Sequence, residues 1–451
     1  MKEKLSFKQN LLIGSLLFGL FFGAGNLIFP VQMGQQAGSH TFTATIGFLI
    51  TGVGLPILGI IASALSKSES LFDMAKPISS RYSKIFTCLL YLTIGPLFAI
   101  PRTATVAFEV GIHPFISDEY LKIGLFIFSL IFFIFTIYFS LRPGRILDWV
   151  GKYLTPIFLV LLSILLIATF VKPMGQVSRY AAQGRYAAQP LFTGILDGYN
   201  TMDALASLAF AIIIISNVRK LGIKDSNLIA FETSKSSLIT VIGMTVIYGS
   251  LAYMGATSLG SVKRADNGGS ILSMVSNHYF GFIGKILLAA IVGIACVKTA
   301  IGLITSCSEM FSEMFPKSTS YKNYAIVFTV CSFAIANFGL NAIIKLSLPV
   351  LMFLYPLAIT LIILSLLTPF IHRQNDIYKW TTVLTAIAAF FDFCKALPDP
   401  LVKSEVVVQF VNFAHLYLPG FDYGFGWIVP AFCGFTIGLI IWSVSRKKKL
   451  A

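Results

Sequence analysis

The sequence predicts an all-α membrane protein with about twelve transmembrane helices, and three observations predict it. Apolar runs near the ~20 residues needed to cross a hydrocarbon core recur from one end of the chain to the other. Of 451 residues, 56% are hydrophobic and 12% charged, about half the charged fraction of an average soluble domain. Lys and Arg also gather in alternate connecting segments, the asymmetry that the positive-inside rule describes.

The expected spans of the first half are 11–33, 42–64, 85–111, 123–141, 150–171 and 191–218. Those of the second half are 228–259, 280–311, 324–340, 342–367, 380–397 and 424–443; the eleventh is crowded at its end by Asp392, Lys395 and Pro398. Placing both termini in the cytoplasm puts most of the basic residues inside, which orients the chain in the cell (inner, cytoplasmic) membrane. The net charge of +15 then reflects Lys2, Lys4, Lys8 and the tail Arg446, Lys447, Lys448 and Lys449 lying against anionic lipid head groups, with no nucleic-acid partner implied. The first apolar segment runs too long for a signal peptide and has no small-residue cleavage site, so its retention is expected.

The longest polar stretches, 172–190, 260–277 and 398–423, are loop-sized, so residues 1–451 read as a single transmembrane domain. The first contains a duplication, Arg-Tyr-Ala-Ala-Gln at 179–183 and 185–189, which is expected to form a short amphipathic helix of no assigned function. Cys88, Cys296, Cys307, Cys331, Cys394 and Cys433 show no C-x-x-C spacing and read as small core residues.

Two spans carry residues unsuited to the middle of a membrane helix. The first places Gly23, Gly25 and Asn26 near the bilayer centre, and the sixth places Gly198, Asn200 and Asp203 at comparable depth. Irregular backbone at that depth is tolerated only where protein buries it or where it lines a cavity. Matched interruptions in two halves are the sequence mark of a transporter with inverted repeats, here about 11–171 and about 191–367, with peripheral helices at about 380–443. The alternative for the glycines is close helix–helix approach.

An amino-acid zwitterion crossing at such breaks must find partners for both of its charges. Gly23, Ala24, Gly25 and Asn26 open a half-helix whose free N–H groups suit a carboxylate. Carbonyls at Phe21 and Phe22, where the preceding half-helix ends, suit an ammonium or a metal cation, with the Asn26 side chain as a further cation ligand. Asp203 is a candidate for countering the substrate ammonium or carrying the coupling charge, or else is held internally by Asn200 or backbone. Gly198, Tyr199, Asn200, Met202 and Phe210 complete the candidate substrate contacts, with Tyr199, Met202 and Phe210 as apolar walls. Arg102 is expected in the outer third, attracting a carboxylate to a vestibule, pairing with an acid in a gate, or snorkelling.

The run Phe-Gly-Ala-Gly-Asn-Leu-Ile-Phe-Pro at 22–30 resembles the branched-chain amino acid:cation symporter family of the amino acid-polyamine-organocation superfamily. So do Gly-Pro-Leu-Phe-Ala-Ile-Pro-Arg-Thr-Ala-Thr at 95–105, Asp-Gly-Tyr-Asn-Thr-Met-Asp-Ala-Leu at 197–205, Ala-Ile-Gly-Leu at 300–303 and Ser-Leu-Pro-Val at 347–350. The resemblance spans nearly the whole chain. It implies the five-plus-five inverted repeat of the bacterial leucine transporter, with broken helices 1 and 6, and uptake of leucine, isoleucine and valine with sodium or protons. It also implies a sodium site between the first and eighth helices, at Phe22, Ala295 and Thr299. The Ala-x-x-Ser/Thr-Ser/Thr pattern of the eighth helix falls on Ala295, Lys298 and Thr299, and Lys298 departs from it. Sodium is the expected coupling ion; the alternative is a proton-coupled or sodium-independent carrier in which the Lys298 ammonium replaces the bound cation.

An enzyme is not expected: His40, His113, His278, His372 and His415 are scattered, and neither a paired-acid metal motif nor a nucleotide loop is present. Filter-like carbonyl loops of a channel and the nucleotide domain of a pump are also missing from the sequence.

Overall fold

In hydrocarbon, a chain satisfies its backbone only within helices or a closed barrel, and the regular elements here are helical. The computed structural model describes residues 4–68, 70–223, 225–265, 267–371 and 374–450. Lys2 and His372 lie outside the described residues, and the basic tail at 446–449 is described by its backbone alone.

Helix α1 (Phe7–Phe21) starts at a capping box in which Gln9 N donates to Ser6 Oγ at 3.3 Å and Ser6 N donates to Gln9 Oε1 at 3.0 Å. It stops at Phe22, and α2 (Ala24–Ala37) begins after Gly23, so the first expected span is two helices. Beyond a turn at Gly38 (φ +51°), α3 (Thr41–Leu49) and α4 (Leu55–Leu65) are joined by a wide helical turn at Ile50–Gly54. The third span is α5 (Ser80–Leu92) and α6 (Ala99–Gly111), interrupted at Thr93–Leu97, where Gly95 (ψ −126°) precedes Pro96. The expected span 85–111 is uninterrupted, and the break follows from the missing amide of Pro96 beside a glycine.

Next come α7 (Leu121–Ser140) and α8 (Thr155–Val171). Helices α9 (Pro190–Tyr199) and α10 (Asp203–Lys220) form the sixth span and are bent by 42° at their junction. Asp225 caps α11 (Ser226–Ser258) by accepting from Asn227 N at 3.0 Å and Leu228 N at 2.9 Å. Helix α12 (Gly268–Met314) breaks at Gly281 (φ +55°), so the expected eighth span gains a helical leg before it. The chain ends with α13 (Tyr321–Ala336), α14 (Leu340–Leu366), α15 (Asn375–Lys395), α16 (Glu405–Tyr417) and α17 (Ile428–Leu450). Among the described residues, nine helices are long and apolar enough to cross a membrane, or ten with α9 and α10 as one span; α1 and α13 are shorter apolar helices.

Three local expectations need correcting. The stretch 398–423 is not wholly loop, because α16 lies inside it. Only the second copy of the duplicated pentapeptide is helical, as the single turn Arg185–Ala188, where burial of Tyr186 and its hydrogen bond to Asp197 anchor it. Of the six free cysteines, Cys331 and Cys433 are exposed rather than core, while Cys88 is half-buried.

The broken helices occupy the middle. Leu16, Leu17, Leu20, Phe22, Leu205 and Leu208 are fully buried, whereas Ile131 and Ile134 of α7 are 62% and 59% exposed. Lipid tails are as apolar as leucine, so helix association here rests on close packing and interhelical hydrogen bonds. Helix α9 shows both: a Cβ at Gly194 would lie 2.1 Å from Ala44 O, and Thr51 Oγ1 donates to Ile195 O at 2.6 Å. The face of the bundle that carries the N-terminus is called the near face below. The connections 172–189, 259–265 and 396–427 gather on the opposite, far face, where Arg264 Nη2 donates to Ala181 O at 2.7 Å and the Phe192 and Tyr423 rings lie 5.5 Å apart.

Candidate functional site

Phe22 and Gly23 separate α1 from α2, and Asn200, Thr201 and Met202 separate α9 from α10. The glycine accounts for the first gap. At the second, Met202 adopts a left-handed conformation (φ +62°, ψ 10°), unusual for a residue with a long side chain and a form of local strain that collects at functional sites.

One side chain ties the two gaps together. Asn26 donates through Nδ2 to Asp203 Oδ2 and lies against the Tyr248 hydroxyl, while its Oδ1 accepts from Gly23 N at 3.0 Å. Tyr248, from α11, donates to the same Asp203 oxygen at 3.1 Å. Asp203, 3% exposed, is therefore held by the opposite broken helix and by α11, not by Asn200. Capping of the Gly23 N–H by Asn26 leaves the amides of Ala24, Gly25 and Asn26 as the unpaired N-terminal donors of α2.

Arg102, on α6, is 6% exposed and lines the cavity between the gaps. Its Nη1 donates to Asn200 O at 3.0 Å, and its guanidinium lies 5.7 Å from the centre of the Phe29 ring. The carbonyl exposed by the second gap is the acceptor that holds this side chain between the two breaks.

The cavity is also lined by Phe21, Gly23, Ala24, Gly25, Met202, Phe210 and Thr299 from the sequence-derived set. Ile94, Thr103, Thr201, Ala206 and Leu303 join them without having been singled out. Its volume is about 30 Å³, room for a water molecule but not for an amino acid, so admitting one requires helix movement. Three predicted contacts lie elsewhere. Gly198 presses on α3 and the turn after it, where a Cβ would lie 2.0 Å from Thr51 Oγ1, so close approach is its role here. Tyr199 stacks on Tyr355 at 4.1 Å and accepts through its carbonyl from the Tyr355 hydroxyl at 2.7 Å; Asn200 lines a second cavity on the far side.

The end of α1 has its own cation. Lys298, fully buried on α12, donates through Nζ to Gly19 O at 3.0 Å and to Phe22 O. Its ammonium lies 4.7 Å from the Phe158 ring centre and 5.8 Å from those of Phe18 and Phe22. Thr299 Oγ1 donates to Leu20 O at 3.5 Å, and Ala295 is buried one turn earlier. Of the groups that would hold a metal ion, the Phe22 carbonyl is engaged by Lys298 and the Thr299 hydroxyl donates to Leu20 O, a poor fit for sodium.

The model of the family described as branched-chain amino acid transport protein matches residues 6–445. The branched-chain amino acid permease BrnQ of Lactobacillus delbrueckii subsp. lactis is 48% identical, covering 99% of this chain and 100% of that protein. The permease BraB of Bacillus subtilis is 42% identical, covering 98% of this chain and 97% of its own length. The branched-chain amino acid transport system 2 carrier protein of Pseudomonas aeruginosa is 39% identical, with 95% of each chain covered. Among solved structures, Mhp1, a nucleobase-cation-symport-1 family transporter in a closed conformation, matches with a TM-score of 0.60 and 14% identity over 97% of this chain and 93% of that one, a likeness of fold.

Proposed function

The chain belongs to the branched-chain amino acid transport protein family, and from that premise we propose that it imports leucine, isoleucine and valine across the cell membrane by secondary transport coupled to a cation. The observation that carries this reading, beside the family, is the composition of the inner cavity. It combines unpaired helix N-terminal amides and a buried guanidinium with the apolar side chains of Phe21, Met202 and Phe210.

In this reading the substrate carboxylate sits against the amides at Ala24 and Gly25 and the Arg102 guanidinium. The ammonium takes carbonyls freed at the two gaps, with Asp203 as its counter-charge. A branched aliphatic side chain fills the apolar end, where each buried methylene contributes about 0.8 kcal/mol. The architecture that goes with it is twelve crossings, with inverted repeats at about 11–171 and 191–367 and peripheral helices at about 380–443. Both termini are then cytoplasmic and the far face is outside.

For the coupling ion, the position of Lys298 supports a proton over sodium. An ammonium on the Gly19 and Phe22 carbonyls supplies in covalent form the positive charge that a bound metal would bring. Deprotonation of that amine removes the charge that ties α12 to the end of α1, and reprotonation restores it, so proton binding and helix movement are linked at one atom. Counterflow tests the substrate assignment without any ion gradient. Proteoliposomes loaded with unlabelled leucine should accumulate labelled isoleucine transiently, and a flat trace equal to that of empty liposomes refutes the assignment.

A further inference from the structure

On the far side of the second gap lies a cavity of about 520 Å³, within the range of small-molecule sites and far larger than the inner one. Phe29 and Asn200 contribute to its lining, and Arg102, which lines the inner cavity, bonds to Asn200 and lies over Phe29, so these two residues stand between the guanidinium and the larger cavity. Leu196, Ile344, Leu348 and Met352 supply apolar wall.

Three carboxylates line this space, and two of them are engaged: Asp197 accepts from the Tyr186 hydroxyl, and Asp422 contacts His415 Nδ1 at 3.0 Å. The third, Asp392 on α15, is 6% exposed, and among the described residues no hydrogen bond or ion pair reaches its carboxylate. Lys395, three residues on and on the same helix face, also lines the cavity. It is turned instead onto the carbonyls of Phe421 at 3.1 Å and Asp422 at 3.4 Å, with the Phe421 ring centre at 4.6 Å. Two of its three N–H donors are thereby used and one is left over.

A buried carboxylate is costly unless something pairs with it. Here two oppositely charged groups one helical turn apart border a roomy cavity with an apolar wall and attract each other across it without a direct ion pair among the described residues. A zwitterion completes both charges at once, its ammonium on Asp392 and its carboxylate on the third donor of Lys395, while its side chain lies against Ile344 and Leu348. We propose that this vestibule is a second binding site, for an aliphatic α-amino acid, with its two charged groups on α15 and its apolar wall on α14. The inference rests on the transport reading above. A molecule held there waits directly beyond Arg102 and reaches the inner cavity when that guanidinium releases Asn200.

The test is equilibrium binding of labelled leucine to the purified full-length chain in lipid nanodiscs. Wild type should bind two leucines per chain. Asp392→Asn and Lys395→Met should each bind one. Gly25→Val, which fills the inner site, should also bind one and retain the vestibule. One leucine per wild-type chain, or a stoichiometry that neither α15 substitution lowers, overturns the vestibule site and leaves the transport reading standing. No leucine bound by wild type overturns both.

Discussion

Replacing Lys298 by threonine separates the two coupling schemes most sharply. The substitution removes the donor to Gly19 O and Phe22 O and leaves both carbonyls unpaired in a fully buried place. Each orphaned acceptor costs about 1–3 kcal/mol, so the variant should be destabilised by about 2–6 kcal/mol in sodium-free buffer. The introduced hydroxyl stands beside Thr299, and together with the freed carbonyls it makes an oxygen-rich site of the kind hard cations take. Sodium at a hundredfold excess over its dissociation constant would then return about 2.7 kcal/mol. The assay is thermal unfolding of purified protein in sodium chloride against choline chloride at equal ionic strength. Wild type should be indifferent to the exchange, and K298T should be less stable in choline and regain much of the loss in sodium. An equal, sodium-specific stabilisation of wild type would refute the reasoning, because a metal ion would then bind despite the ammonium.

Other substitutions test the inner site. Asp203→Asn keeps the shape but exchanges a carboxylate that accepts from Asn26 and Tyr248 for an amide that can present donors to them, so isoleucine uptake should be lost while protein remains in the membrane; normal uptake would exclude a role for the charge. Gly25→Val places a branched side chain where a Cβ alone would be 3.1 Å from the Phe29 ring and 3.3 Å from Arg102 Nη2, so substrate should no longer reach the α2 amides, and the loss should appear as one fewer leucine bound per chain. Competition against labelled isoleucine should rank valine below it by about fourfold if the missing methylene is fully buried, as ~0.8 kcal/mol implies, whereas lysine and glutamate should not compete. Asn10→Ala removes the side-chain donor to Glu232 Oε2, a buried carboxylate whose other oxygen has no partner among the described residues, and should cost about 1–3 kcal/mol in thermal unfolding without changing substrate affinity.

The sequence carried the two interruptions because glycine, asparagine and aspartate in mid-membrane are anomalies that apolar periodicity cannot absorb. Lys298 was visible for the same reason, as a charge in an apolar run. Its direction was not visible, since a four-carbon stem reaches either the α1 carbonyls or the near face, and only the packing of Phe18, Phe22 and Phe158 selects the first. Tyr248 escaped notice because a tyrosine within a long apolar helix gives no local signal, although it closes the Asn26–Asp203 group. The position of Gly198 beside the gap suggests a binding residue, while its lack of a side chain serves the contact with α3 and its following turn. The surroundings of Asp392 are a tertiary fact: the sequence shows only that Asp392, Lys395 and Pro398 crowd one helix end, and the carbonyls of Phe421 and Asp422 hold that lysine.

Uptake of labelled isoleucine into proteoliposomes, with proton and sodium gradients imposed separately, bears most directly on the whole account. The prediction is saturable accumulation driven by an inward proton gradient in the absence of sodium, competed by leucine and valine and lost in Asp203→Asn. Accumulation that requires sodium would contradict the coupling assigned to Lys298, and the absence of saturable uptake under either gradient would contradict the proposed transport itself.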